Sequence, residues 1–262
     1  MGSAAWERAQ EAERAYQVQK DPSSIVSKSV AYWSRVLAFL PPAEVAIGPA
    51  TRVLDAGCGP AGILLGLTEG RRTGFDPLMG FYLERFPHLL ETPVRWIEAR
   101  AEEFRGETAF DVVFCVNMLD HTEDPAASAE NLARQVAPGG KLVLLLNVHL
   151  TRFFRWYFAR FHRFIDPPHP HHFHRDDVAG LFPGLRLTAA LDCDGAWLGL
   201  RDEDEDRPRV RRPTFLSRAL NPFKYPLAAA RLLGRPFNRS RAEDRPLMAA
   251  YLYVFSRDGS AA

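Results

Sequence analysis

Between residues 45 and 150, short apolar runs alternate with amphipathic stretches. Four runs with valine, leucine, isoleucine or phenylalanine, at residues 53–56, 94–97, 110–116 and 141–147, have the length of buried strands, and Arg72-Thr-Gly-Phe-Asp76 reads as a further strand that ends in a carboxylate. Segments of helical spacing or loop composition separate them. Strands and helices alternating at these lengths predict an α/β fold with a doubly wound parallel sheet. Ligands of such sheets collect at the C-terminal ends of the strands. Asp55, Asp76, Asn117 and Asn147 all fall there. Two more strands are expected at 185–191 and 249–255. Upstream, residues 4–20 read as a helix broken by Asp21-Pro22. A second helix, 24–40, carries Ile25, Val26, Tyr32, Trp33, Val36 and Leu40 on a broad apolar face and ends at Pro41-Pro42. Residues 151–164 predict a helix dense in aromatics, Trp156 among them, with Arg152, Arg155, Arg160 and Arg163 interleaved.

Composition narrows this only a little. A chain of 262 residues with 47% apolar content can build a full core, and a net charge of +1 gives no global attraction to nucleic acid or membrane. Three widely spaced cysteines in apolar stretches are not a disulfide framework. With an N-terminus that lacks an apolar signal segment, they point to a cytoplasmic protein. The longest apolar run is too short to span a bilayer.

The chemistry centres on Val53-Leu54-Asp55-Ala56-Gly57-Cys58-Gly59-Pro60-Ala61-Gly62. It reads as a buried strand that ends in an acid, turns through glycines and enters a helix at Pro60 or Ala61 that runs to Gly70. Glycines let the backbone approach a ligand closely, and a helix N-terminus presents unpaired N–H groups. Dinucleotides and S-adenosylmethionine both use such a turn, and Gly57-x-Gly59-x-x-Gly62 formally fits the dinucleotide fingerprint. Asp55 favours the second ligand. A carboxylate repels a neighbouring pyrophosphate but attracts an ammonium and a sulfonium. Asp76 lies at the right distance for a ribose-binding acid of either class.

The segment resembles the first motif of the class I S-adenosylmethionine-dependent methyltransferases, an acid followed by x-Gly-x-Gly-x-x-Gly. The resemblance covers residues 45–150 strongly and 170–258 loosely. It implies a Rossmann-like seven-stranded sheet whose last strand is antiparallel and lies between the fifth and sixth. It also implies an N-terminal helical lid, with insertions after strands 5 and 6. The cofactor residues it implies are Asp55, Gly57, Cys58, Gly59, Asp76, Pro77, Leu78, Arg100, Ala101, Asn117 and Met118. Arg100 stands where the family usually has the aspartate that bonds the adenine amino group. Arginine cannot accept that bond, which removes the side-chain adenine contact and leaves the Ala101 N–H able to serve. This departure is also the feature that most favours binding without transfer. His174 replaces the hydroxyl residue that usually caps the helix near Asp176, which leaves Asp177 to share the capping.

The expected organisation is one domain over 1–262: an N-terminal lid (1–46), a cofactor core (47–150), an aromatic and histidine-rich lid insertion (151–180), and C-terminal strands (181–262) with a basic insertion at 201–245. A transferase of this kind needs an acceptor held in line and a base for a protonated acceptor. Histidine titrates near neutrality, so His121 and His172 are the candidate catalytic residues. His149, His171, Trp156 and Tyr32 are the candidate acceptor contacts. No metal is expected, because Pro167, Pro168 and Pro170 extend the histidine segment and neighbouring side chains then diverge. The reading is S-adenosylmethionine-dependent O- or N-methylation of a bulky apolar or aromatic small molecule, with S-adenosylhomocysteine as product. The protein is a monomer or homodimer, without nucleic acid and without a transmembrane segment. The basic, aromatic insertions are either a larger core or dimer contact, or an acceptor mouth that touches a membrane surface. A methyltransferase-fold protein that binds a ligand or partner without transfer is the second hypothesis, and an NAD-dependent oxidoreductase the third.

Overall fold

The structure, a computed structural model, describes residues 4–165, 169–193 and 248–259. The acidic run at 202–206 and the basic insertion over 201–245 lie outside the described residues. Helices α1 (Ala4–Val18) and α2 (Pro22–Leu37) precede β1 (Arg52–Ala56) and β2 (Arg71–Asp76). Next come α3 (Met79–Arg85), β3 (Val94–Glu98), β4 (Phe110–Val116), α4 (Pro125–Gln135) and β5 (Val136–His149). The chain closes with α5 (Arg152–Ile165), β6 (Phe173–His174), β7 (Arg186–Asp192) and β8 (Met248–Ser256).

The strands order as β3-β2-β1-β4-β5-β8-β7, and β8 runs antiparallel to both β5 and β7. This is the doubly wound arrangement expected, with the antiparallel last strand between its two predecessors. A two-residue strand not foreseen, β6, adds parallel to the end of β5 through Val148 and His149. Alternate residues face opposite layers: Leu54, Val113 and Leu144 pack with Ala129, Leu132 and Ala133 of α4, while Val53, Phe114 and Val143 pack with Val36 of α2. The Arg52 guanidinium grips Asp111 bidentately, at 2.7 and 3.1 Å, and ties the base of β1 to β4.

Two local expectations are corrected. No continuous helix follows β1. The chain makes two short 3₁₀ turns, Gly59–Ala61 and Ile63–Gly66, with Gly62 extended between them. Two side chains from outside take the backbone groups a helix would use. The Asp55 carboxylate accepts from the Ile63 N–H at 3.1 Å, and the Trp33 indole of α2 donates to the Ala61 carbonyl. A Cβ on Gly62 would lie 2.4 Å from the Asp55 carboxylate, so only glycine lets the acid reach. The second correction is at Asp176. The segment Arg175–Gly180 is 3₁₀, and His174 itself caps it by accepting from the Asp176 N–H at 3.3 Å.

Candidate active site

The β1 turn places Gly57 and Gly59 at φ +66° and +55°, a region costly for other residues. Each glycine has a different reason. A Cβ on Gly57 would sit 2.1 Å from the Met118 side chain, whereas one on Gly59 would meet nothing within 4 Å. Gly59 therefore borders open space. That space is a cavity of about 150 Å³ at the C-terminal ends of β1, β2 and β4. Of the residues read from the sequence, Gly57, Gly59, Asp76, Pro77, Arg100, Ala101, Asn117, Met118 and His121 line it.

Asp76 is the polar anchor of the cavity wall. Its two carboxylate oxygens accept from the backbone N–H groups of Gly59 (3.0 Å) and Leu78 (2.9 Å). Burial pushes its carboxyl up to about 6, against the pull of those two bonds, and Glu13 and Glu98 add repulsion. Asn117 holds the left-handed conformation at φ +48° and donates its N–H to the Leu145 carbonyl, which aims the post-β4 turn at the cavity.

Asp55 does not line the cavity. It lies beneath the turn, 2% exposed, and burial pushes it up to about 8. Its work is structural, through the Ile63 bond. Cys58 and Leu78 turn away as well, into a cluster with Met79, Tyr82 and Phe86. Phe75 and Tyr82 supply aromatic wall instead.

Arg100 is engaged from several sides. Its guanidinium pairs with Glu123, lies within 3.9 Å of Glu102 and 3.8 Å of Glu103, and stacks 4.3 Å from the Trp6 ring centre. Trp6 belongs to α1, whose Trp6, Ala9, Gln10 and Glu13 also line the cavity. None of these four was singled out from the sequence. Their i, i+3, i+4, i+7 spacing marks one helix face, but nothing local says what that face covers.

The histidines separate into two groups. His121 lines the cavity, and its ring lies 4.5 Å from that of His169. Ligand atoms of Asp120, His121 and His169 lie within 4.8 Å of one another, a set that could hold a metal ion and to which the extended segment contributes His169 alone. His171 stands one layer back, 3.0 Å from the carbonyl of the cavity residue Thr122, and burial lowers its pKa. His149 and His172 form a buried pair at 3.2 Å against Phe158 of α5, away from the cavity lining. Tyr32 packs edge-on to Trp33, and Trp156 is 56% exposed on the outer face of α5. Neither touches the cavity.

The sheet order, the glycine turn and an acid at the end of β2 define the class: a doubly wound α/β domain with a cavity at the C-terminal ends of its strands, where ligands of such folds bind. A family model described as a methyltransferase domain matches residues 25–185, more than half of the chain, and the chain belongs to that family. The ubiquinone biosynthesis O-methyltransferase of Aromatoleum aromaticum is 39% identical over 98 residues, which are 35% of this chain and 42% of that protein. The match thus spans under half the length of that relative. In overall fold the chain is similar to the YcgJ protein from Bacillus subtilis (TM-score 0.56, 14% identity, 87% of this chain and 99% of that one). It is also similar to a Haemonchus contortus phosphoethanolamine N-methyltransferase in complex with phosphomonomethylethanolamine and S-adenosylhomocysteine (TM-score 0.54, 18% identity, 87% and 53%).

Proposed function

We propose that the chain binds S-adenosylmethionine in the cavity at the ends of β1, β2 and β4 and methylates an oxygen of a small-molecule acceptor. The observation that carries this reading is the pairing of Gly59, whose missing Cβ leaves the cradle open, with the Asp76 carboxylate on the same wall. Asp76 keeps lone pairs for two vicinal hydroxyls after taking its two backbone donors. Ala101 and Met118 border the flat end, and Gly57 lets Met118 approach. The cofactor supplies an electrophilic methyl group on a sulfonium. The chain's own residues orient the acceptor, exclude water and remove its proton.

His121, which lines the cavity, is the proposed base. Its contact with His169 and the neighbouring Asp120 fixes its place on the wall. The His149–His172 pair supports β5 and α5 behind this wall, so His172 acts, in this reading, on position rather than on the acceptor. The name of the sequence relative favours oxygen over nitrogen as the methylated atom. Two short 3₁₀ turns after β1 supply no helix N-terminus for a pyrophosphate, which counts against the dinucleotide alternative. The helix α1 serves as lid, the chain works as one domain in the cytoplasm, and the outer face of α5 meets a membrane surface at which an apolar acceptor is presented.

Calorimetric titration with S-adenosylmethionine, S-adenosylhomocysteine and NAD tests the core of this. The first two are expected to bind and NAD not. Asp76→Ala should weaken both by roughly 10- to 100-fold, the equivalent of about 1.5–3 kcal/mol for a hydrogen bond to a charged group. Binding of NAD alone would reverse the assignment.

A further inference from the structure

Glu13 is the feature of the cavity that the cofactor reading leaves unused. It is carried by α1 on the stripe that faces the cavity, and it was chosen by no motif. Its carboxylate is held in place: the Gln17 amide, one turn on and 5% exposed, donates to it at 2.6 Å. An amide orients a carboxylate without cancelling its charge. Among the described residues no basic side chain forms an ion pair with Glu13. Glu13 and Asp76 line the same cavity, and after burial, the main cause, the Glu13 charge adds to the repulsion that raises the Asp76 carboxyl.

The basic side chain in the same wall does not offset this. Arg100 is engaged by Glu123, Glu102 and Glu103 and covered by Trp6. Around the cavity, Glu13, Asp76 and Glu102 face a single guanidinium that is already committed. The lining is therefore electronegative, and the lid helix brings the excess charge.

We propose that Glu13 is a specificity-determining residue of the cofactor site: it biases the cavity toward a cationic ligand and so favours the sulfonium cofactor over the neutral thioether that remains after transfer. The inference rests on the methyl-transfer reading of the same cavity. It adds a role for α1 beyond covering: the lid tightens on the charged reactant and loosens its hold once the charge is gone. Two opposite charges several ångströms apart in a half-buried site interact by enough to change affinity about tenfold.

The test is calorimetry on the full chain, wild type and Glu13→Gln, with S-adenosylmethionine and S-adenosylhomocysteine at low and high salt. The substitution is isosteric on a helix surface, and a melting curve for each protein checks that the fold is intact. The expected result is a loss of about tenfold in S-adenosylmethionine affinity in the variant, with S-adenosylhomocysteine changed by less than about twofold. In wild type the ratio of the two affinities should also fall with salt, and in the variant it should not. Gln17→Ala should lose part of the same discrimination. Equal losses for both ligands, or no change in either, would overturn the proposal. Failure of wild type to bind either ligand would instead defeat the cofactor reading beneath it.

Discussion

Gly57 and Gly59 share a backbone conformation and differ in what surrounds them, which makes them separable by experiment. An alanine in the left-handed region costs about 1–2 kcal/mol at either position. At Gly57 the new methyl would also collide with Met118 at 2.1 Å, so Gly57→Ala should lower the melting temperature more than Gly59→Ala does. At Gly59 the methyl enters the cavity. That variant should keep its fold and lose cofactor affinity by more than about tenfold, a pattern that calorimetry and thermal melting read together. Asp55 gives a second test. Its folded carboxyl, raised to about 8 by burial, holds a proton that the unfolded chain, near the ordinary 3.8, has released. The folded state thus binds more protons between these values, and stability falls as pH rises through the window. Asp55→Asn keeps an oxygen for the Ile63 N–H and removes the titration. The melting temperature of wild type minus that of the variant should decline from pH 6 to pH 8, and a flat or rising difference would contradict the buried placement of Asp55. The sequence marked Asp55 as an acid at a strand end. It could not show that the carboxylate turns under the glycine loop rather than over it.

At the scale of elements, the segments that were legible are those whose partners lie within themselves. Asp124-Pro125 announces a helix start, and Asp124 does accept from the N–H groups of Ala126 and Ala127, both at 3.0 Å. Asp124→Ala should cost about 1 kcal/mol, seen as a lower chemical-denaturation midpoint with unchanged slope. The stretch after β1 has equally good local signals, with proline at the first turn and a run of isoleucine and leucines, yet it is not one helix. Its deciding partners come from elsewhere: Trp33 of α2, 28 residues away, and Asp55, eight residues away. The same holds for α1. Its cavity-facing stripe is visible as periodicity, but only the packed structure shows that Trp6 lies over Arg100 and that Glu13 lines one cavity with Asp76. The missing family aspartate at position 100 was legible. Its consequence, an arginine that couples α1 to Glu123 beside the α4 cap, was not.

At the scale of the whole molecule, strand periodicity and connection lengths suffice for a doubly wound parallel sheet, because few topologies satisfy a right-handed alternation of strands and helices. The place of the antiparallel last strand followed only from the family resemblance. Of the strand-end residues picked out from the strand pattern, Asp76 and Asn117 line one cavity, while Asp55 and Asn147 do not. The histidines did not follow, since their segment lies beyond the common core and its path depends on α5 and the end of β5. That helix is divided in its surroundings. Phe158 faces inward against His149, while Phe153 and Trp156 are 62% and 56% exposed on the outer side. Arg152 and Arg160 are exposed too, and Arg152 forms an exposed pair with Asp177. Exposed large aromatics beside arginines suit the interface of an anionic bilayer, where the rings enter the headgroup region and each basic residue contributes about 1 kcal/mol. The same composition would suit a second protein, and the two differ in their response to lipid charge and salt. Sedimentation with phosphatidylglycerol-containing vesicles should show binding that weakens at high salt, with little binding to neutral vesicles. Replacing Phe153 and Trp156 by alanine should reduce that binding several-fold while leaving cofactor affinity unchanged, because neither residue lines the cavity. If anionic vesicles bring down no protein at low salt, α5 does not dock on lipid and the acceptor reaches the site from solution.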